Sequence, residues 1–520
     1  MKFPKMIIFD YGHTLLYEED FNPLQGEKAA FKYIKNNPNR VTPEESSALA
    51  DGVYGECGSA RRDGFEIHNF QAMRYIYEYL GIEFSISFQE LEKIIWENSS
   101  PPALMPQVEK MLEDLHTRGI RTGVISNISW SGTALAQQIN RLLPNNHFEF
   151  IIASSEYAFR KPSPRLFSLA LRKAGLDPDE AWYCGDNPGF DVAGAAGAGI
   201  FPVWYDSDLV CGYRDKSLET PPQCPHLYIR EWDELAETLD VLEAAGGELS
   251  LQKLDGLFYK LKAPFDFDFL KRYGKVFKIF DDQDSGNICF GMEKDGTRSF
   301  VKFAGAPTAR HEGSTGSAIS QLQATLPLYQ NFRSPNLIAL LQAEDIGGGY
   351  AMVFRWAEGV GVGRMYPETH RKFMRMSTNA KKKVFRDVLL FFNDVAAQGY
   401  VAIDFYDGSL LYDFETQKTT ICDIDFFRTA PTTNDMGHLW GSVRFQAPEE
   451  YVFGAKIDEI TNVYTLGATA FSLFSDSDRS PDVWPLSKES YIVAQKAVSD
   501  NRDDRQQSIE EFIREWEASF

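Results

Sequence analysis

The chain has 520 residues, of which 43 % are hydrophobic and 14 % aromatic, and a formal net charge of -21. It is too long for one ordinary core, so two or more domains are expected, and its apolar content is that of folded domains, not of disorder. The acidic balance argues against nucleic acid or an anionic membrane as the main partner, because the summed field repels phosphate.

The first element is the run Met6-Ile7-Ile8-Phe9, which stops at Asp10 and turns through Gly12. An apolar run of this length before a glycine turn reads as a strand buried on both faces, with Asp10 at its carboxyl end, where open α/β sheets place their chemistry. Two readings fit Asp10 at this point: a nucleophile, or an aspartate that caps a turn. The same run is too short before its charge for a signal peptide, and no window approaches a membrane span, so a cytoplasmic protein is expected. Six scattered cysteines (Cys57, Cys184, Cys211, Cys224, Cys289, Cys422) and eight scattered histidines lack metal spacing, so the cysteines are expected to be reduced and structural.

From about residue 18 to 100 the apolar spacing is helical, as in Phe70, Met73, Ile76 and Leu80, and reads as an insertion after the first strand. An α/β alternation then follows. Helices are predicted over Val108–Arg118, Leu135–Leu143, Pro164–Ala174 and Val192–Ala198, and strands over Thr122–Ser126, Phe148–Ala153, Trp182–Cys184 and Phe201–Trp204. Such alternation implies a parallel sheet covered by helices. Polar residues fall at the strand ends: Asp10, Ser126-Asn127, Lys161 in Arg160-Lys161-Pro162, and Gly185-Asp186 through Asp191. Together they suit phosphoryl transfer to a carboxylate, with hydroxyl and N–H groups on the phosphate, a Lys offsetting charge and further carboxylates for Mg²⁺.

In that order these four segments resemble the motifs of the haloacid dehalogenase-like (HAD) hydrolases, over residues 1 to about 242, with the insertion (about 18–100) resembling their helical cap. The resemblance implies a Rossmann-like core and an Mg²⁺-dependent phosphatase. In it Asp10 is the nucleophile, Ser126, Asn127 and Lys161 hold phosphate, and Asp186, Asp191 and the carbonyl of Gly12 serve the metal beside Asp10. Phosphatases of this family usually carry a general acid/base aspartate where this chain has Gly12.

A last strand and helix around Leu227–Ile229 and Trp232 lead to a polar, glycine-bearing seam at Glu243–Glu248, so the domains are expected at 1–245 and 249–520. In the second, strands are predicted over Lys275–Phe280, Asn287–Glu293, Arg298–Phe303, Leu337–Ala343 and Tyr350–Trp356. A helix interrupts them at Ala318–Leu328, and Gly347–Gly349 reads as a hairpin turn. The rest is mainly helical: an α+β, two-lobed arrangement. Lys302, Asp404 and Asp423 come in the order that kinase-type transfer uses, although singly Lys302 reads equally as an exposed strand residue and Asp404 as a turn former.

Gly441 through Glu449, Thr461 through Gly467, and Arg505 resemble the later motifs of eukaryotic-type protein kinases, over about residues 265 to 520. The resemblance implies ATP as cofactor, Gly286 and Lys302 at its phosphates, Asp404 as catalytic acid/base, Asp423 and Ser409 at the metal, and a buried Glu449–Arg505 ion pair. Ser409 stands where those kinases have Asn, only Gly286 remains of the glycine loop, and Asp425 replaces a glycine. Glu312 is the nearest acid to the place of the helix glutamate that pairs with the lysine. Two functions follow. One is a phosphatase acting on a phosphorylated small molecule or phosphoprotein, joined to an ATP-dependent phosphotransferase. The other is a sensor of phosphorylated or nucleotide ligands, with one or both parts inactive as in a pseudokinase.

Overall fold

Met6–Phe9 are completely shielded from solvent and form a central strand of the first sheet. The computed structural model describes residues 1–209, 216, 219–346 and 348–520. Its sheet runs Leu227–Ile229, Phe201–Tyr205, Ala181–Gly185, Met6–Phe9, Arg121–Ser126, Phe148–Ala153, parallel throughout. A strand buried on both faces has no polar face to alternate, which is why Met6–Phe9 reads as an unbroken apolar run. Helix Pro164–Ala174 covers one face with Leu166, Phe167 and Ala170, and Phe167 meets Tyr183 edge-on at 5.0 Å.

The insertion is helical, as predicted. Its helices Pro43–Glu56 and Phe88–Ser99 start with full capping boxes, Thr42 with Glu45 and Ser87 with Glu90. Two short strand pairs were not anticipated, Leu16–Glu18 with Pro102–Leu104 at the root and Ile34–Asn36 with Glu83–Phe84 within it. The predicted helix Val192–Ala198 is replaced by a π-turn over Pro188–Ala193 and one helical turn, Gly194–Gly197. The Asn187 side chain accepts from Gly189 N and Phe190 N and widens the start, and the Gly/Ala-rich sequence after it offers no apolar stripe to anchor a longer helix.

The chain divides into two compact units, Met1–Pro264 and Phe265–Phe520. Hairpin Ser250–Leu261 belongs to the first, where Met1 and Leu249 exchange main-chain hydrogen bonds at 2.7 and 2.9 Å.

The second unit holds an antiparallel sheet in the order Lys275–Phe280, Asn287–Lys294, Thr297–Ala304, Gly349–Arg355, Leu340–Ile346. The last of these starts three residues later than predicted, because Ile338 N is drawn to Ile421 O at 2.8 Å instead. Gly347, part of the predicted hairpin turn, and Cys211 lie outside the described residues. Helix Thr315–Asn331 packs against the sheet, and Tyr329 meets Phe354 at 4.8 Å. The remainder is built on helices Thr378–Ala397, Glu459–Ser475, Lys488–Ala497 and Ile509–Glu517, with Phe385, Phe391 and Phe392 at the centre. It also carries a small antiparallel sheet of Val360–Gly361, Leu410–Asp413 and Lys418–Ile421, which helical periodicity alone does not foresee. Among the described residues no helix is long and apolar enough to cross a membrane.

Candidate active site

Parallel register aligns the carboxyl ends of three neighbouring strands. Phe9 lies level with Val124 on one side and Cys184 on the other, and Asp10 N donates to Cys184 O at 2.8 Å. Asp10, Ser126 and Asp186 therefore leave the sheet at the same edge. Lys161, from the loop before helix Pro164–Ala174, reaches into it: its Nζ lies 2.6 Å from Asp10 Oδ1, 2.6 Å from Asp191 Oδ1 and 2.8 Å from the Tyr183 hydroxyl. The Lys161 and Asp191 side chains are each 1 % exposed and that of Asp10 13 %.

Burial pushes the Asp10 carboxyl up, against the pull of Lys161, to about 6. For Lys161 burial acts the other way and is outweighed: Asp10 and Asp191 hold the ammonium above its usual range. Oxygens of Asp10, Asp186 and Asp191 lie within 4.8 Å of one another. Three carboxylates against one ammonium leave an excess of negative charge in a buried site, and an all-oxygen donor set suits a hard divalent cation. The residues present thus fit Mg²⁺.

Asp191 is fully engaged. Its Oδ1 accepts from Lys161 and from the Tyr183 hydroxyl at 3.2 Å, and its Oδ2 accepts from Asn187 N at 3.0 Å. It reaches this place because position 185 is glycine: a Cβ there would stand 2.4 Å from Asp191 Cγ. Asp186 is buried beside it, and its carbonyl takes the Trp204 indole N–H at 3.1 Å. Asn127, expected at the phosphate, spends its side chain elsewhere. Its Oδ1 accepts from Lys161 N at 2.7 Å and its Nδ2 donates to Lys161 O at 2.9 Å, so it clamps the lysine's main chain. Ser126 is buried at its strand end. Gly12 lies in the turn just after Asp10, with nothing within 4 Å of where a Cβ would be.

Tyr183 and two tryptophans were not foreseen. A tyrosine in a buried strand needs a partner for its hydroxyl, which is the signal that could have found Tyr183. Trp96 of the insertion stacks on Trp130, four residues past Ser126, at 5.2 Å, and meets Tyr11 edge-on at 6.2 Å. Glu92, one turn earlier, accepts from Ser131 N at 2.9 Å and Ser131 Oγ at 2.5 Å, tying the insertion to the start of helix Gly132–Leu142.

In the second unit Lys302 stands opposite Cys289 and Met352 in the sheet. Its Nζ pairs with Asp425 and, at 3.3 Å, with Asp423 Oδ1. Burial alone would lower the lysine, but Asp425 and Asp423 outweigh it and raise its pKa. Asp404 has a left-handed backbone, φ 62°, and burial, helped by Asp423 and Asp284, pushes its carboxyl up to about 7. The segment before it is held by the buried Asn462, which accepts from Ala402 N at 2.7 Å and donates to Tyr400 O at 3.0 Å. Ser409 is fully buried, its hydroxyl taking the Tyr406 N–H at 3.4 Å. Gly286 has φ 81°, and a Cβ there would strike the Ala318 Cβ at 2.7 Å. Glu312 is exposed. Asp425, which stands where those kinases have a glycine, is turned onto Lys302. The Glu449–Arg505 pair is present, two-pronged and buried, at 2.9 and 3.0 Å. Cys57, Cys184, Cys224, Cys289 and Cys422 are free.

An all-parallel sheet with buried carboxylates and a lysine gathered at one edge defines, for the first unit, an α/β domain with its candidate site at the carboxyl ends of the strands. Residues 61–204 match the family described as haloacid dehalogenase-like hydrolase. The chain is similar to the phosphoserine phosphatase of Thermus thermophilus, 32 % identical over 160 residues, 29 % of this chain and 58 % of that protein. It is also similar to glyceraldehyde 3-phosphate phosphatases. That of Methanothermobacter thermautotrophicus is 29 % identical over 215 residues, 41 % of this chain and 89 % of the relative. That of Pyrococcus furiosus is 28 % identical over 250 residues, 47 % and 95 %. The chain thus carries a HAD-like hydrolase domain with phosphatases among its relatives, which supports a phosphohydrolase.

Proposed function

We propose that the first unit is an Mg²⁺-dependent phosphatase for a phosphorylated small molecule, working through an aspartyl-phosphate at Asp10. The observation that carries this is the buried Lys161 bridging Asp10 and Asp191 at 2.6 Å each, beside Asp186. An Asp10 oxygen attacks phosphorus, the ester P–O bond breaks, and the leaving oxygen takes its proton from solvent, since Gly12 has none to give. Water then attacks the phosphorus of the aspartyl-phosphate, releasing phosphate and restoring Asp10. Lys161 and the Ser126 hydroxyl hold the phosphate oxygens, while Asp191 and Asn127 set Lys161 in place. Asp10, Asp186 and the Gly12 carbonyl would hold Mg²⁺, with Asp191 on the metal side of the same cluster. When bound, the ion offsets the repulsion between nucleophile and phosphate. Phosphoserine, glyceraldehyde 3-phosphate and p-nitrophenyl phosphate are the first substrates to assay, with Mg²⁺ and with chelator. Asp10→Asn should abolish release, and no release from any ester would refute the reading.

For the second unit we infer a divergent protein-kinase-like domain that binds ATP, with Lys302 at the phosphates, Asp404 at the acceptor hydroxyl and Asp423 at the metal. The buried Glu449–Arg505 pair and the Lys302–Asp423 contact support it. The sensor reading draws support from Ser409, whose buried hydroxyl is turned to main chain and is a poor metal ligand there. Label from γ-labelled ATP on protein, lost in Lys302→Met and Asp423→Asn, would mark an active kinase. Binding without transfer would mark the sensor.

A further inference from the structure

Helix Thr315–Asn331 contains no Asp or Glu, and Glu312 before it is exposed. No carboxylate of that helix can therefore hold Lys302. The lysine is nonetheless held. Its side chain is 11 % exposed and pairs with Asp425, which is 5 % exposed, and more loosely with Asp423, which is 50 % exposed. The other oxygen of Asp425 accepts from the Tyr329 hydroxyl at 3.0 Å, so both of its oxygens are spoken for. A buried ion pair of this kind is costly to desolvate and is kept only where its geometry is well satisfied. Both ends of Asp425 are satisfied here.

We propose that Asp425 is the positioning residue for Lys302, holding its ammonium ready for the phosphates of a nucleotide, with Tyr329 fixing Asp425 in turn. This rests on the nucleotide-binding reading of the second unit. The two halves of the site then divide their work. Asp425 keeps the lysine in one rotamer, and Asp423, 3.3 Å from it and half exposed, is left open to solvent. Because the carboxylate comes from the segment right after Asp423, the helix acts on the lysine through Tyr329 and not through a carboxylate of its own.

The test uses the full chain and two readouts. The first is pulse methylation of lysines with formaldehyde and cyanoborohydride, followed by mass spectrometry. Lys302 should be protected in wild type, labelled about tenfold faster in Asp425→Asn, and protected again in Asp425→Glu, the scale expected when a buried charge pair loses one partner. Unchanged Lys302 labelling in an Asp425→Asn chain that melts like wild type overturns the proposal. If that variant fails to fold, Tyr329→Phe decides: it keeps both charges and frees Asp425, so faster labelling supports the proposal and unchanged labelling overturns it. The second readout is calorimetric binding of ATP with Mg²⁺, expected in wild type, weakened about tenfold in Asp425→Asn and recovered in Asp425→Glu. A wild-type chain that binds no ATP refutes the nucleotide reading, and with it the ligand half of the proposal, while the labelling still decides whether Asp425 holds Lys302.

Discussion

Glu449→Ala should destabilise the second unit more than Arg505→Ala, and the difference follows from what each deletion leaves behind. Glu449 Oε1 accepts from Arg505 Nη1 at 2.9 Å, from the Thr461 hydroxyl at 2.9 Å and from Arg502, and its Oε2 accepts from Arg505 Nη2 at 3.0 Å. The Arg505 and Glu449 side chains are 0 % and 4 % exposed. Removing Arg505 leaves a buried carboxylate that still has Arg502 and Thr461, which puts the cost near the lower end of the range for breaking a buried pair, about 3 kcal/mol. Removing Glu449 strands a wholly buried guanidinium, whose nearest support is the Ser499 carbonyl at 2.7 Å, while Arg502 keeps Asp458. That cost belongs near the upper end, about 5 kcal/mol. For a unit the size of Phe265–Phe520 each kcal/mol moves the midpoint by about 2–4 °C, so losses of roughly 6–12 °C and 10–20 °C are expected. Scanning calorimetry of the full chain reads both. A midpoint close to wild type in either variant, or the reverse order, would show that the pair is not the buried, unequally backed contact described.

Gly12→Asp should fold as wild type, because nothing lies within 4 Å of the new Cβ and the backbone is outside the left-handed region. It should speed hydrolysis of esters with poor leaving groups by about 10²–10⁴, the usual worth of general acid help, and no gain on such esters would mean that proton donation does not limit the rate. Lys161→Met leaves Asp10 and Asp191 facing each other without a cation and should cut kcat/KM by about 10²–10³, measured as phosphate release. Burial pushes the Glu450 carboxyl up to about 8, so its native state prefers the proton. Its stabilising effect is complete below the usual carboxylate range and is lost as pH rises through about 8, on the order of a few kcal/mol in all. Urea titrations of Glu450→Gln should therefore show a second unit less sensitive to pH between 5 and 8, and curves parallel to wild type would refute the assignment. Glu92→Ala removes acceptors from Ser131 N and Oγ and should raise KM more than it lowers kcat, as the insertion loosens over the site.

Segments set by the local sequence pattern were legible. Phe148–Ala153, Pro164–Ala174 and Lys275–Phe280 were predicted to the residue. Misplacements occur where a side chain or a distant partner overrides the local pattern. Asn187 reshapes the turn before Val192, and Ile421 takes Ile338 away from the sheet that Leu337 seemed to begin. Candidate site residues were legible by type, as carboxylates at strand ends and a lysine in the loop before helix Pro164–Ala174, but not by partner. Asn127 faces the Lys161 main chain and not open space, and Asp425 faces Lys302, because a side chain's direction depends on what packs around it.

By itself the amino-acid order determined which runs are buried strands and that Asp10, Ser126 and Asp186 fall at their ends, since periodicity and turn chemistry act within a few residues. Which charge meets which is another matter. Lys161 and Asp10 are 151 positions apart, and Lys302 and Asp425 are 123 apart. No rule of local spacing spans such separations, and only the parallel register of one sheet and the packing beneath the other bring these groups within hydrogen-bonding distance.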